Sequence, residues 1–382
     1  MAVRERYVAG LYSGASADGV DAAVAHIRYA RRRMKVRQVG HAHVPFPQPL
    51  RRRIVAMVCD RAEPAGVLAE LDRDVAEVFA EAAERVIAQV PIAREEIAAV
   101  GSSGHLVRRH RRSRGHDVGA EATAGWPALI AAKIGLPVVS GFGASDLAAG
   151  GWGGSLTAWP NWLLLAHKRL SRVAVHLGGI VGLVFMGSGA GAEDVVAFDV
   201  GPGTVLMDDL ARKYFSRPFD ADGTIASQGG VNRVLLNELL ANGYFQTAPP
   251  KSTCPGQWGD AYMWRVMNMG AKHGCQGADL LCTVTEMTAR LVALAVGKLT
   301  ERPHEVILSG GGALNIHLAG RIRKLLSPCS TYACERYGLG LRAKEALCYA
   351  ILAAARMDNF SAHCPVATGA ERPMVLGSVW MP

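Results

Sequence analysis

The chain has no apolar run of 18 residues or more, so nothing in its sequence reads as a transmembrane helix. It has no CxxC pair. The eight cysteines, at 59, 254, 275, 282, 329, 334, 348 and 364, follow neither zinc-ligand nor disulfide spacing and read as buried or free thiols of a reducing cytoplasm. The opening MAVRERYVAGL shows no apolar signal-peptide core and no small-residue cleavage site, which also points to the cytoplasm. No GxxxxGK(S/T) occurs and no GxGxxG follows a first strand, which argues against Walker and Rossmann nucleotide sites. Aromatic residues are few, at 7%, and hardly interleave with the two basic clusters that carry much of the net charge of +9. Those clusters are Arg31 to Lys35 with Arg37, and Arg108 to Arg114. With no zinc-finger, RRM or KH pattern beside them, they read as a hairpin edge and an exposed loop, and no nucleic-acid partner is expected. His105, His110 and His116 fall within one basic loop around the second cluster and read as solvated loop histidines, because no cysteine or carboxylate spacing joins them into a ligand set.

What is present is glycine, 43 residues of it, in a chain of 382 that is half hydrophobic. That length suits two packed domains. Apolar periodicity alternates between strand and helix, which predicts an α/β protein. Strands are expected over Tyr7–Leu11 and Val20–Ile27, at the end of Ala98–Ser103, at Pro137–Ser140, in a second hairpin over Arg172–Phe185, and at Glu305–Leu308. Helices are expected behind Pro64 as far as Val86, over Pro127–Ile134, and over 203–215, 228–242 and 278–300. Two more follow, one after Gly312 through Leu326 and a last amphipathic one over about Ala343–Met357. The Gly-rich passage Gly150–Ser155 marks the junction, giving domains 1–152 and 153–382.

Each half opens with a strand, a small-residue turn and a strand. The first turn, Ser13-Gly-Ala-Ser-Ala-Asp-Gly19, is longer than a hairpin needs. Its small residues let backbone N–H groups converge on phosphate, and Asp18 and Asp21 place charge beside it. The second turn holds Gly178 and Gly179. A third cluster, Gly310-Gly311-Gly312, lies between a strand and a helix, where bare backbone can carry an adenosine. Three such turns in this order suggest two actin-like (ribonuclease H-like) domains facing each other across a nucleotide cleft, as in hexokinase and Hsp70. The carboxylate of Asp18 suits the water shell of a Mg²⁺ ion bound to ATP. Asp199, before the sharp turn Gly201-Pro-Gly203, is placed as a general base.

Collinear segments along nearly the whole chain resemble the anhydro-N-acetylmuramic acid kinase family. They are SGASADGVD (13–21), LAAGG (147–151), LGGI (177–180), FDVGPGTVLMD (198–208), DADG (220–223), PPKST (249–253), TVTEMTA (283–289), GGGALN (310–315), KEAL (344–347) and CPVATGA (364–370). The resemblance implies a cytoplasmic homodimer that opens the 1,6-anhydro bridge of its sugar with water and phosphorylates O6 from ATP, in cell-wall sugar recycling. It implies that Asp199 is the catalytic aspartate. It also implies that Gly14, Ala15, Ser16, Ala17, Asp18, Gly19, Val20 and Asp21 form an ATP-binding segment, and that Glu345 faces the sugar.

The sequence departs from the family pattern around that sugar. Ser103 and His105 stand where the family has His and Gln, and Thr204 where it has Asn. His176 and Gly182 replace the asparagines of its second hairpin, and Cys254-Pro-Gly256 replaces a GRE-type run. In Gly141–Asp146 only Asp146 survives, so Asp146 and a compensating Arg108 are the expected substrate contacts. A divergent member acting on another anhydro- or amino-sugar, or an inactive nucleotide-binding protein, is the alternative; sugar-dependent ADP release separates them.

Overall fold

The computed structural model describes residues 4–30, 33–59, 65–110 and 118–382. Arg31, Arg32, Pro64, Arg111 to Arg114 and His116, all named above, lie outside the described residues.

Six strands open the chain: β1 (Arg4–Ser13), β2 (Gly19–Ala30), β3 (Arg33–Pro45), β4 (Ile97–His110), β5 (Ala120–Ala124) and β6 (Val138–Ser140). Five follow: β7 (Arg172–Leu177), β8 (Ile180–Met186), β9 (Val196–Pro202), β10 (Glu305–Ser309) and β11 (Ser330–Ala333). A final strand is β12 (Ser378–Trp380). The first sheet runs β12-β6-β4-β1-β2-β3, with β5 paired to β4, and the second runs β11-β10-β7-β8-β9.

One topology appears twice. In each sheet three antiparallel strands (β1-β2-β3, β7-β8-β9) are extended from the first of them by parallel strands, β4 then β6 and β10 then β11. This duplicated order is the two-domain actin-like arrangement, with the β1–β2 and β7–β8 turns as matching corners.

Strands β1 to β6 form the first sheet and β7 to β11 the second, but the end of the chain returns to the first. β12 pairs antiparallel with β6 of the first sheet, and the Ala343–Met357 helix packs on β1, β2 and β4. That helix is not amphipathic. Ala343 to Cys348 and Ala350 to Ala355 are buried, in a cluster with Val8 and Ala23 of one sheet and Ala174, Val184 and Ile307 of the other. A helix wedged between two sheets buries every face, which is why small alanines recur along it, at 343, 346, 350 and 353 to 355. Glycine makes the approach possible: a Cβ on Gly10 would lie 2.5 Å from Ala350 N, and one on Gly101 2.8 Å from the Tyr349 carbonyl carbon.

β2 is buried on both faces. Val20, Ala22 and Val24 meet Val75, Phe79 and Val86 of the Ala65–Ala88 helix, while Ala23, Ala25 and Ile27 enter the cluster between the sheets. Other helices fall close to expectation, at Pro127–Ile134, Thr204–Phe215, Gly277–Gly297 and Ile316–Leu326. The expected 228–242 helix is shorter, Arg233–Leu240, because Asn232 caps it by accepting from Leu235 N at 3.0 Å. The Gln48–Val58 helix has no counterpart in the sequence reading. Gly277–Gly297 is 21 residues long and apolar enough to cross a membrane, yet 78% of its most apolar stretch is buried in the core.

Candidate active site

Two cavities meet between the sheets. The larger, about 640 Å³, is lined by Gly14, Ser16, Asp18 and Asp21 from the first corner and by Gly178 and Gly179 from the second. Gly310, Gly311 and Gly312 also line it, with Thr204, Asp208, Phe219, Leu314 and Arg342. The three glycine clusters picked out in the sequence therefore border one space. The smaller, about 200 Å³, contains Asp199, Glu345, His105, Arg109, Glu121 and Thr253. Tyr12, Gly14 and His176 line both, so a group held in one can reach the other past those three residues.

The corners touch. A Cβ on Gly179 would sit 2.5 Å from Ser16 N and 2.8 Å from the Ala15 carbonyl carbon, so only glycine fits there. Within the first turn the expected ATP segment divides into distinct jobs. Gly14, Ser16, Asp18 and Asp21 face the larger cavity and Ala15 the smaller. Ala17 and Val20 are core residues. Gly19 is small because a Cβ there would lie 2.7 Å from the Pro45 Cα of β3. The turn is braced by Arg51 of the Gln48–Val58 helix, which donates to Ala17 O at 2.9 Å and Ser16 O at 3.1 Å. Gly201 and Gly203 line neither cavity. They let the chain pass behind the second corner, where Gly203 N donates to Gly179 O at 2.8 Å and Thr204 N to Gly178 O at 2.9 Å.

The acidic pair of the first turn is unequal. Asp18, 47% exposed, accepts from Ser16 Oγ at 2.8 Å and from Arg342 at 2.7 Å, and its edge remains open to solvent. Asp21 is mostly buried and held by His41, His43 and Arg342 at 3.1–3.2 Å. Burial opposes its charge, but those hydrogen bonds and the Arg342 guanidinium keep its carboxyl far below the usual range. It serves as a buried anchor for Arg342. Asp208, quoted with the second motif but given no role, lines the same cavity, and burial pushes its carboxyl up to about 7.

Asp199 lies in the middle of β9, which runs on to Pro202, opposite Gly182 of β8, whose missing side chain leaves open space. Its Oδ2 accepts from Ser252 Oγ at 2.6 Å and from Thr253 N at 2.9 Å. Burial raises its pKa, while those donors and the nearby Arg109 and Lys251 cations oppose the rise. The PPKST segment is held beside β9 by Asp199 N donating to Lys251 O at 3.2 Å and Tyr244 OH donating to Asp199 O at 2.8 Å. Burial lowers Lys251 to about 8, and its ammonium lies 4.5 Å from the Tyr244 ring centre. Glu345 is paired with Lys344 at 2.6 Å and lies 3.7 Å from His176. Burial disfavours its charge, but Lys344 and His176 outweigh that and hold the carboxyl at about 2.

Two expected sugar contacts stand elsewhere. Arg108 borders neither cavity; its Nε reaches His110 Nε2 at 3.4 Å. The register of β4 on β5 places Arg109 opposite Glu121 instead, and Arg109 enters the smaller cavity, ion-paired to Glu121 at 3.1 Å. Asp146 is fully buried outside the cavity, accepting from Gly153 N at 2.7 Å and bonded to His363 Nε2 at 2.8 Å. It ties the glycine junction to the C-terminal segment. His105 is no loop histidine: β4 runs through it and it is 1% exposed. Among the described residues no cluster of three or more metal-ligand side chains occurs, and no two cysteines are bridged.

A family model for anhydro-N-acetylmuramic acid kinase matches residues 5–382. The chain belongs to that family. Curated members align end to end with it. The anhydro-N-acetylmuramic acid kinase of Gloeobacter violaceus is 35% identical over 97% of this chain and 97% of its own. That of Salinibacter ruber is 34% identical over 99% of this chain and 96% of its own. The match runs through all three glycine clusters and Asp199.

Proposed function

We propose that this family member phosphorylates anhydro-N-acetylmuramic acid from ATP, opening the 1,6-anhydro bridge in the same event, in cytoplasmic recycling of cell-wall sugar. The observation that carries the reading is Asp199 in the smaller cavity, which shares Tyr12, Gly14 and His176 with the larger cavity bordered by the three glycine clusters. Asp199 takes a proton from water, whose oxygen bonds to C1 of the sugar. The C1–O6 bond breaks and leaves its electrons on O6. O6 then bonds to the γ-phosphorus and ADP departs. The proton remains on Asp199, whose basicity burial maintains.

The other residues align groups and balance charge, which is most of what phosphoryl transfer asks of a protein. N–H groups of the corners at Gly14–Ser16 and Gly178–Gly179 suit phosphate oxygens. Arg109 and Lys251 offset charge near Asp199. Mg²⁺ suits Asp18 and Asp208, since that ion keeps most of its waters and needs few protein ligands. When bound, it would neutralise charge on the phosphates.

ADP release measured with Mg²⁺-ATP, with and without anhydro-N-acetylmuramic acid and beside Asp199→Asn, tests the reading. Sugar-dependent release that the variant loses by at least about 10³-fold supports it. Release that ignores the sugar, or survives in the variant, overturns it. Membership of a kinase family across the whole chain disfavours the alternative of a retired nucleotide binder.

A further inference from the structure

The second sheet sets His176 and Asp199 in one row. His176 of β7 pairs with Gly182 of β8, and Gly182 pairs with Asp199 of β9. Side chains directly opposite one another on neighbouring strands share a face, so imidazole and carboxylate stand on one side of the sheet with a bare glycine between them. Two strand spacings separate their Cα atoms by about 9–10 Å. All three residues line the smaller cavity, and nothing lies within 4 Å of where a Cβ on Gly182 would be.

Of the three, His176 also lines the larger cavity, and its ring spans the passage. Nδ1 lies 3.7 Å from Glu345 Oε1 of the smaller cavity and is buried without a hydrogen-bond partner. The far edge lies against glycines of the larger cavity: a Cβ on Gly178 would be 2.7 Å from Nε2, and one on Gly310 2.9 Å from Cε1. The side chain is 17% exposed, and Nε2, unlike Nδ1, is not among its buried atoms.

The charged groups around the ring are engaged elsewhere. Lys344 binds Glu345 and Asn161, and Asp21 is held by His41, His43 and Arg342. Tyr12 meets the ring edge-on at 5.7 Å between centres. Burial, the largest influence, keeps the ring below the usual histidine pKa against the pull of Glu345, so near pH 7 the ring holds one proton. The Glu345 carboxylate draws that proton to Nδ1, which leaves a lone pair on Nε2.

We propose that His176 is a catalytic residue that contacts the terminal phosphoryl group of ATP as it crosses from the larger cavity to the sugar, with Nε2 donating to one of its oxygens. Phosphate oxygens only accept, so the complex draws a proton to Nε2. A sugar lying over Gly182 has Asp199 at one edge, where water loses its proton, and His176 at the other, where O6 meets the phosphorus. No bond to His176 forms or breaks; its N–H offsets charge on the group being transferred. The direction of transfer rests on the kinase reading, and the phosphate contact rests on the placement of the ring.

Two measurements test it. In the first, nitrogen-15 imidazole spectra of the wild-type protein are recorded free, with Mg²⁺-ADP, and with the non-hydrolysable analogue β,γ-methylene-ATP and Mg²⁺; His176→Gln assigns the signal. Nε2 is expected to give a lone-pair signal in the free protein, to stay near it with ADP, and to move upfield to a protonated value with the analogue. An analogue that binds by calorimetry without moving Nε2 overturns the proposal, and so does ADP that moves it as far. In the second, His176→Leu is expected to lose about 10- to 100-fold in kcat at unchanged ADP affinity, and His176→Gln, whose amide can donate, to lose less. An unchanged kcat in the leucine variant overturns the proposal, as does a glutamine variant no better than leucine or an equal fall in ADP affinity. Absence of sugar-dependent turnover in the wild type removes the kinase reading instead, and the spectra with the analogue still decide whether His176 meets a terminal phosphate.

Discussion

Ser252 Oγ donates to Asp199 Oδ2 at 2.6 Å, and this bond binds the PPKST segment to β9. It favours the charged form of a carboxyl that burial pushes toward neutrality. Ser252→Ala removes it, so the Asp199 pKa rises further. A base works only when deprotonated. The acidic limb of the kcat/KM profile is therefore expected to move to higher pH, with about tenfold loss on the acid side and little change on the alkaline plateau. An unmoved limb would show that Asp199 is not the group being titrated.

The contact between the two corners predicts an effect on nucleotide binding at a distance from any charge. In Gly179→Ala the new methyl would fall 2.5 Å from Ser16 N, and backbone on that side has no room to yield. Overpacking of this kind costs about 1–3 kcal/mol. ADP affinity by calorimetry is expected to fall about 10- to 100-fold, which is that cost expressed as binding. Gly182→Ala, with nothing within 4 Å of its added atom, is expected to leave ADP affinity unchanged.

Asp208 gives nucleotide binding a dependence on pH. Its carboxyl titrates at about 7 in the larger cavity. As pH rises through that value a negative charge appears beside the phosphates. Metal-free ATP is expected to bind more weakly across that range, and Mg²⁺-ATP more tightly. Asp208→Asn is expected to flatten both trends; trends that persist in the variant would assign the titration to another group.

Glu345 and Lys344 form a buried ion pair. The ordinary glutamate value of 4.5 falls to about 2 in the folded chain. Stability from the pair is thus complete above about pH 4.5 and is lost as pH falls toward about 2. Glu345→Gln leaves the Lys344 ammonium buried without its counter-charge, at a cost of about 3–5 kcal/mol. Urea unfolding near pH 7 is expected to show that loss. The double variant Lys344→Met, Glu345→Gln is expected to recover much of it, since replacing a whole buried pair costs far less than breaking it.

The sequence by itself determined the duplicated α/β plan and the glycine clusters that border the larger cavity. Hairpins and glycine turns are local: small residues between two apolar runs admit little else, and the three clusters do converge on one cavity. Asp199 was expected on a strand for the same reason, and β9 carries it and runs on to Pro202. Tertiary structure decided the sugar wall. Which arginine enters the smaller cavity depends on the irregular register of β4 against β5, which puts Arg109 opposite Glu121 and turns Arg108 away. Asp146 became a buried tie only because His363, 217 residues later, comes back to meet it. The Ala343–Met357 helix lost its expected polar face because a second sheet covers it. His105 looked like part of a basic loop, but β4 carries it inside, where Nδ1 lies 2.9 Å from Ser13 Oγ and the ring packs on Phe46. Contacts of that kind join residues far apart in the chain, and no local pattern of residues records them.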